Sequence, residues 1–213
     1  MSTLAWAKVR VPWTPRHSHC VVSCREKLVL LGGSNPSMGS LNDVWTSPDG
    51  CQWEALPAAA WSARGGHGAA VKEGAIYVVG GADKTQHLMK FMRDVWRSDD
   101  AGKTWSLVTP TTGPDSQHWT GRRQHGVAVH IIPQSRFDGD HQCSSDRKYG
   151  DSDYLTDGGD SGRQRLSQLV VAGGQGETGY LSDVCKCGGD SGGVWERTGS
   201  SCEVYRILLL WMA

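Results

Sequence analysis

An all-β chain built from repeated four-stranded antiparallel units is predicted by three observations. The heptapeptide Trp-[Ser/Thr]-x-Arg-x-x-His occurs three times in the 213 residues, as Trp13–His19, Trp61–His67 and Trp119–His125. The first two copies lead into paired apolar runs that end on a Gly-Gly pair after a fixed interval, and the third does so after an insert. Glycine is high at 28, and the 10 tryptophans outnumber Phe and Tyr together, which suits short strands, tight turns and large rigid core rings. An internal repeat of this length decides the architecture before any single residue does.

In the first two units the chain runs 13 residues from the motif histidine to Gly-Gly, His19 to Gly32 and His67 to Gly80. Between them lie Val21-Val22 with Leu28–Leu31, and Ala69–Val71 with Ala75–Val79. Arg25-Glu26-Lys27 or Lys72-Glu73-Gly74 splits each pair. Such near-continuous apolar runs read as a β-hairpin covered on both faces. A polar loop follows, Ser34–Asn42 or Ala82–Arg93. Next comes a third strand around Asp43-Val44-Trp45 or Asp94-Val95-Trp96, and a fourth at Trp53–Leu56 or Trp105–Val108. Four short strands per unit, with leading tryptophans 48 and 58 residues apart, suit the blade of a β-propeller.

The third unit has the strand Gly126–Ile132, then a polar insert from Pro133 to Ser167 that is expected to be a disordered surface loop. Leu169–Ala172, Gly173-Gly174, the loop Gln175–Ser182, Asp183-Val184-Cys185 and Val194–Arg197 complete it. Leu4–Val9 looks like a fourth strand without its first three. The expectation is an incomplete propeller over residues 4–198: blades at about 13–57, 61–109 and 119–198, the last carrying the 133–167 insert, one orphan N-terminal strand, and an off-pattern tail, 199–213. Closed propellers use 4–8 blades.

Charge is balanced, with 22 basic and 22 acidic residues, so there is no electrostatic reason to expect nucleic acid or an anionic membrane. The 7 cysteines are odd in number and off the repeat, which favours free thiols over a disulfide framework. The first residues lack an apolar signal core, and Ile207–Ala213 is too short to span a bilayer, so a cytoplasmic location is expected.

These marks resemble the kelch repeat family: a motif histidine before an apolar strand, Gly32-Gly33, Gly80-Gly81 and Gly173-Gly174 closing the second strand, then Asp-Val-Trp and a further Trp. Cys185 departs from the pattern by standing where Trp is expected. The resemblance covers roughly residues 4–198 and implies a β-propeller used as a protein-binding platform. Ser98-x-Asp100-x-Gly102-x-Thr104-Trp105 is similar to the Asp-box of sialidase-type propellers. Asp49-Gly50-Cys51-Gln52-Trp53 and Asp190-x-Gly192-x-Val194-Trp195 are degenerate copies. Such a box is a hairpin turn in which Asp caps backbone amides and Gly takes a positive φ.

Gly189-Asp190-Ser191-Gly192-Gly193 spells a serine-hydrolase motif, but it falls in register with this turn, so no catalytic residue is assigned. The candidate partner-binding residues are Arg16, His19, Arg64, His67, Arg122 and His125, which the meander gathers at one mouth of the central channel. They read either as a cation ring for an acidic or carboxylate ligand, or as structure, each Arg paired with Asp43, Asp94 or Asp183 and each His bonded to a neighbouring blade. Neither His17, His19, Cys20 and Cys24, nor Cys185 and Cys187, nor the aspartates of the insert have metal-site spacing, so no metal and no cofactor is expected.

The expected function is a non-enzymatic interaction module. It would grip a protein partner through Ser34–Asn42, Ala82–Arg93, Gln175–Ser182 and the blade-to-blade loops. The alternative is a fragment of a carbohydrate-active propeller, sialidase-like or sialic-acid-isomerase-like, with the three arginines on a substrate carboxylate. Half a ring leaves strand edges and apolar faces open, which predicts either a homodimer or a chain truncated from a longer propeller.

Overall fold

The computed structural model describes residues 7–83, 89–108, 120–132, 166–188 and 195–198. Every regular element among them is a β-strand, and none is a helix long and apolar enough to cross a membrane. The first sheet is a simple meander of β1 (Cys20–Cys24), β2 (Lys27–Asn35), β3 (Gly39–Ser47) and β4 (Glu54–Leu56). In the second, β5 (Gly68–Lys72) and β6 (Ala75–Val79) are followed by the small ribbon β7 (Ala82–Asp83) and β8 (Lys90–Phe91), then by β9 (Val95–Ser98) and β10 (Ser106–Leu107). The third repeats this: β11 (Gly126–Ile132), β12 (Leu166–Ala172), the ribbon β13 (Gln175–Gly176) and β14 (Gly179–Tyr180), then β15 (Val184–Gly188) and β16 (Trp195–Thr198). All pairings are antiparallel and follow chain order within each sheet.

Local chemistry sets the first hairpin of each unit. Arg25 and Glu26 both have positive φ between β1 and β2, as do Glu73 and Gly74 between β5 and β6. Two consecutive left-handed residues make the type I′ turn whose twist matches that of the strands. Beyond it, the second glycine of each Gly-Gly pair is obligatory. Gly33, Gly81 and Gly174 have φ of 107°, 102° and 103°, and a Cβ there would meet the Cβ of His19, His67 and His125 at 2.8, 2.9 and 2.9 Å.

The innermost strands β1, β5 and β11 lie side by side, and the core is the filling between successive sheets. Between the first and second, Val29, Leu31 and Val44 pack against Trp61, Ile76 and Val78. Between the second and third, Tyr77, Val79 and Val95 pack against Leu169, Val171 and Cys185. Cys20, Cys24, Cys51 and Cys185 are free thiols.

Several expectations are amended. Ser34–Asn42 is mostly strand: β2 runs to Asn35 and β3 starts at Gly39. The turn between is held by Asn35 Oδ1, which accepts from the amides of Ser37 and Met38. A bulge whose extra residue lies in β3, with Asn42 and Asp43 opposite Gly32, carries the ladder on to Asn35. Ala82–Arg93 and Gln175–Ser182 likewise contain ribbons. Leu166 and Ser167, read as insert, belong to β12 because they pair with Ile132 and Ile131. Ala7, Lys8 and Val9 are in no strand. Residues 4–6, Trp119, residues 133–165, Gly189–Val194 with the serine motif, and the tail 199–213 lie outside the described residues.

Trp61, 1% exposed between two sheets, and Val21, 48% exposed on β1, predict opposite mutational costs. Trp61→Ala should lower stability by about 3–5 kcal/mol. Val21→Ala should cost under about 1 kcal/mol. Urea unfolding followed by tryptophan fluorescence reads both; equal costs would contradict the packing described.

Candidate functional site

The three motif arginines share one geometry. Arg16 donates both guanidinium arms to Asp43 at 2.7 and 2.8 Å, and also bonds the Gly32 carbonyl at 3.0 Å. Arg64 holds Asp94 at 2.6 and 2.8 Å and the Gly80 carbonyl at 2.9 Å. Arg122 holds Asp183 at 2.7 and 2.9 Å and the Gly173 carbonyl at 2.9 Å. Each Nε also donates to the carbonyl two residues back, that of Thr14, Ser62 or Thr120. A planar fork matches a carboxylate in this two-pronged way, which a lysine cannot reproduce.

The aspartate has a second donor in each unit. Trp45 Nε1 reaches Asp43 Oδ2 at 2.7 Å, and Trp96 Nε1 reaches Asp94 Oδ2 at 2.7 Å. In the third unit Cys185 Sγ stands 3.9 Å from Asp183 Oδ2, so the departure from Asp-Val-Trp keeps the contact with a weaker donor. Burial alone would raise the carboxyls of Asp43 and Asp94, but the guanidinium bonds outweigh it and hold both below the ordinary carboxylate value. Side-chain exposure of the aspartates falls along the chain, from 37% at Asp43 through 16% at Asp94 to 5% at Asp183.

Backbone bonds give the arginines a further duty. The Arg64 amide donates to Leu41 and its carbonyl accepts from Gly33, both in the first sheet, at 2.9 Å each. The Arg122 amide donates to Met92 at 3.1 Å and its carbonyl accepts from Gly81 at 2.8 Å, both in the second unit. Each of these residues therefore ties the preceding sheet by its main chain and its own sheet by its side chain.

The motif histidines sit in the same seams. His67 is 4% exposed, with Cε1 against Gly32 of the first sheet, and neither ring nitrogen makes a hydrogen bond of ordinary geometry. Burial first, then Arg64 and the histidines of the neighbouring units, push it down to about 3, against the pull of the Arg64 backbone. His125 packs against Gly68 of the second sheet. Burial and Arg122 push it to about 4, with the Val79 backbone opposing. His19, with no such seam, is exposed.

The two residues between each Arg and His behave differently. Ser18, Gly66 and Gln124 all take a left-handed φ, of 55°, 66° and 54°. They join unit to unit through Gly66 N to Ser18 O at 2.8 Å and Gln124 N to Gly66 O at 2.6 Å. The residues before them form bridges to the continuing second strands, His17 with Ser34, Gly65 with Ala82 and Arg123 with Gln175. All of them but Gln175 line one depression. Arg123 crosses it to Gln175 Oε1 at 2.8 Å, and His17 Nδ1 lies 3.0 Å from Ser18 Oγ. Met38 and Tyr180 stand out on the flanking hairpins, 60% and 90% exposed.

The turn between β9 and β10 forms as its residues dictate. Asp100 accepts from Thr104 N and Oγ1, Ser98 Oγ accepts from Gly102 N, and Trp105 Nε1 donates to the Gly102 carbonyl. Ser47, Asp49 and Trp53 repeat the scheme one residue shorter. Asp49 and Asp100 are thereby committed to their own turns. Among the described residues no three His, Cys, Asp or Glu side chains converge as metal ligands.

Comparison with known families matches the kelch motif to residues 63–112. The second sheet carries a kelch motif. That match runs from Ala63, beside the motif arginine, through Gly80-Gly81 and Asp94-Val95-Trp96 to just past β10. No curated protein matches the chain significantly.

The six residues expected to meet a partner divide. Arg16, Arg64 and Arg122 have side chains no more than 2% exposed and forks filled by aspartate, the structural arrangement weighed against the cation ring. His67 and His125 fill seams by packing; for His67 this takes the place of the expected hydrogen bond to a neighbouring unit. The side chains that line the depression are those of His17, Ser18, Arg123 and Gln124, with Ser34 and Ala82. The signal in the sequence for His17, Ser18, Arg123 and Gln124 is variation, because the two positions between Arg and His differ between copies.

Replacing the aspartates should cost more as burial deepens. Asp183→Ala and Asp94→Ala leave a buried guanidinium unpaired, at about 3–5 kcal/mol each. Asp43→Ala should cost less because solvent screens it. Denaturant midpoints check the order, and a larger loss at Asp43 would contradict it.

The histidines make stability acid-sensitive with a definite sign. The unfolded imidazoles take protons near pH 6.5, while folded His67 and His125 resist until about 3 and 4. The unfolded state therefore binds more protons in between, and stability falls as pH drops from about 6.5 toward 4. Denaturant unfolding at stepped pH should show this slope, with His67→Gln flattening it; an unchanged slope in the variant would remove His67 as its source.

Proposed function

We propose that this chain is a kelch-type β-propeller module, its three sheets being blades, that binds a protein partner through the mouth of the channel and performs no catalysis. The observation that supports this most is the division of labour inside the heptapeptide. Its three arginines, with His67 and His125, are consumed by the frame, while the two variable residues between Arg and His open onto the mouth. Variable polar side chains on a rigid repeated scaffold suit recognition, since each can change without disturbing the fold. Arg123, Gln124, His17 and Gln175 supply donors for a partner's carboxylates and carbonyls, and the protruding Met38 and Tyr180 supply apolar anchors. A cytoplasmic setting belongs to this reading, and so does closure of the open sheet faces by a second copy or by further blades.

The carbohydrate reading needs guanidinium groups free to hold a substrate carboxylate. Arg16, Arg64 and Arg122 are all engaged by aspartates, so nothing in the site favours it.

Affinity capture followed by titration of the recovered partner tests the proposal. Arg123→Ala and Tyr180→Ala should each weaken the partner at least about tenfold while leaving the unfolding midpoint unchanged. Arg64→Ala should instead destabilise the fold. Partner affinity indifferent to both mouth variants, or a measurable titration with sialic acid, would contradict the proposal.

A further inference from the structure

The contact between successive sheets joins two unlike faces, and the chain uses it twice. The second sheet turns Trp61, Ala69, Ile76 and Val78 toward the first, and Ala70, Tyr77 and Val79 toward the third. Its entry face thus receives the sheet before it, and its exit face receives the sheet after it. Position in the repeat identifies the equivalent faces at the two ends of the row.

On the first sheet the entry face is covered only in part: Leu30, the counterpart of Val78, is buried, while its surroundings are open. Val21, two residues after its motif histidine as Ala69 is, is 48% exposed, and Trp13 and Leu28 are half-buried. Their counterparts Trp61 and Ile76 are fully buried. On the third sheet the exit face is uncovered: Ala128 is exposed, and Val170 and Ala172 are half-buried where Tyr77 and Val79 are buried. The molecule therefore carries both halves of a contact it already makes internally, one at each end. Its net charge of zero sets no repulsion between copies.

We propose that a second copy of this chain covers both faces. The entry face of the first sheet in one copy seats on the exit face of the third sheet in the other, twice, about a twofold axis. This rests on the reading of the sheets as propeller blades. The three four-stranded sheets of the described residues, taken from both copies, then make a ring of six, within the range of closed propellers. The contact is head-to-tail, so closure is what stops it from growing into a filament. The mouth becomes continuous only in the pair, with His17 and Ser18 of one copy brought toward Arg123 and Gln124 of the other.

Sedimentation velocity and light scattering on the full chain test this, in reducing buffer because Cys51 is a free, exposed thiol. The expected result is one species of twice the chain mass. Val21→Asp and Val170→Asp should each weaken the dimer at least about tenfold by placing an unpaired charge in an apolar seam. An equimolar mixture of the two variants should regain dimer, since one seam of the mixed pair joins two unaltered faces. Should Val170→Asp fail to fold, Ala128→Glu replaces it on the same face. A wild-type monomer, an open ladder of oligomers, or a dimer unmoved by both substitutions overturns the proposal. Arg123→Ala should leave the dimer intact, so loss of the partner and loss of the second copy are read separately.

Discussion

The two-pronged bond between a buried arginine and an aspartate on its own sheet is the interaction on which the rest depends. Taking a guanidinium out of water is costly, and a well-packed apolar pair of similar volume often matches a buried ion pair in stability. The pair does something an apolar contact cannot. Arg64 reaches Asp94 and Gly80 in the second sheet by its side chain, while its backbone bonds Leu41 and Gly33 in the first. Direction and distance are set together, so the angle between neighbouring sheets is specified rather than left to side-chain packing. The Gly-Gly pair is the other half of the device, because only a left-handed glycine leaves room for the motif histidine.

That frame explains why the mouth can vary. Main-chain bonds from Gly66 to Ser18 and from Gln124 to Gly66 hold the segment between Arg and His in one conformation, whatever the side chains are. The copies carry His17-Ser18, Gly65-Gly66 and Arg123-Gln124 in the same place. The glycine pair is confined by its neighbours, with Ser34 Oγ occupying the space a Gly65 side chain would need. The depression is therefore lopsided, with polar or charged side chains from the first and third units and bare backbone from the second.

Much of the fold was legible because its signals are local. Paired apolar runs, the breaks at Arg25-Glu26 and Glu73-Gly74, and the recurring Asp-Val-Trp placed four strands in each unit close to where they occur. The misses share a cause. β2 and β3 extend past Gly33 because a bulge and an Asn35 cap carry the ladder through polar residues that read as loop. Leu166 and Ser167 join β12 because β11 is long enough to pair with them. Pairing partners distant in sequence override local composition in both cases.

The sequence by itself determined the repeat, its four-stranded unit, and the pairing of each motif arginine with a particular aspartate as one of two readings. Local chemistry suffices for these, since a fork and a carboxylate in register have few other partners. Only the tertiary structure decided between those readings, because burial belongs to the whole arrangement of sheets and not to any one segment. It also decided which heptapeptide positions face outward. Ser18 and Gln124 are ordinary residues held left-handed by bonds to the next unit, and no composition or spacing announces that. The recurring arginines belong to the frame, and His17, Ser18 and Gln124 beside them stand exposed.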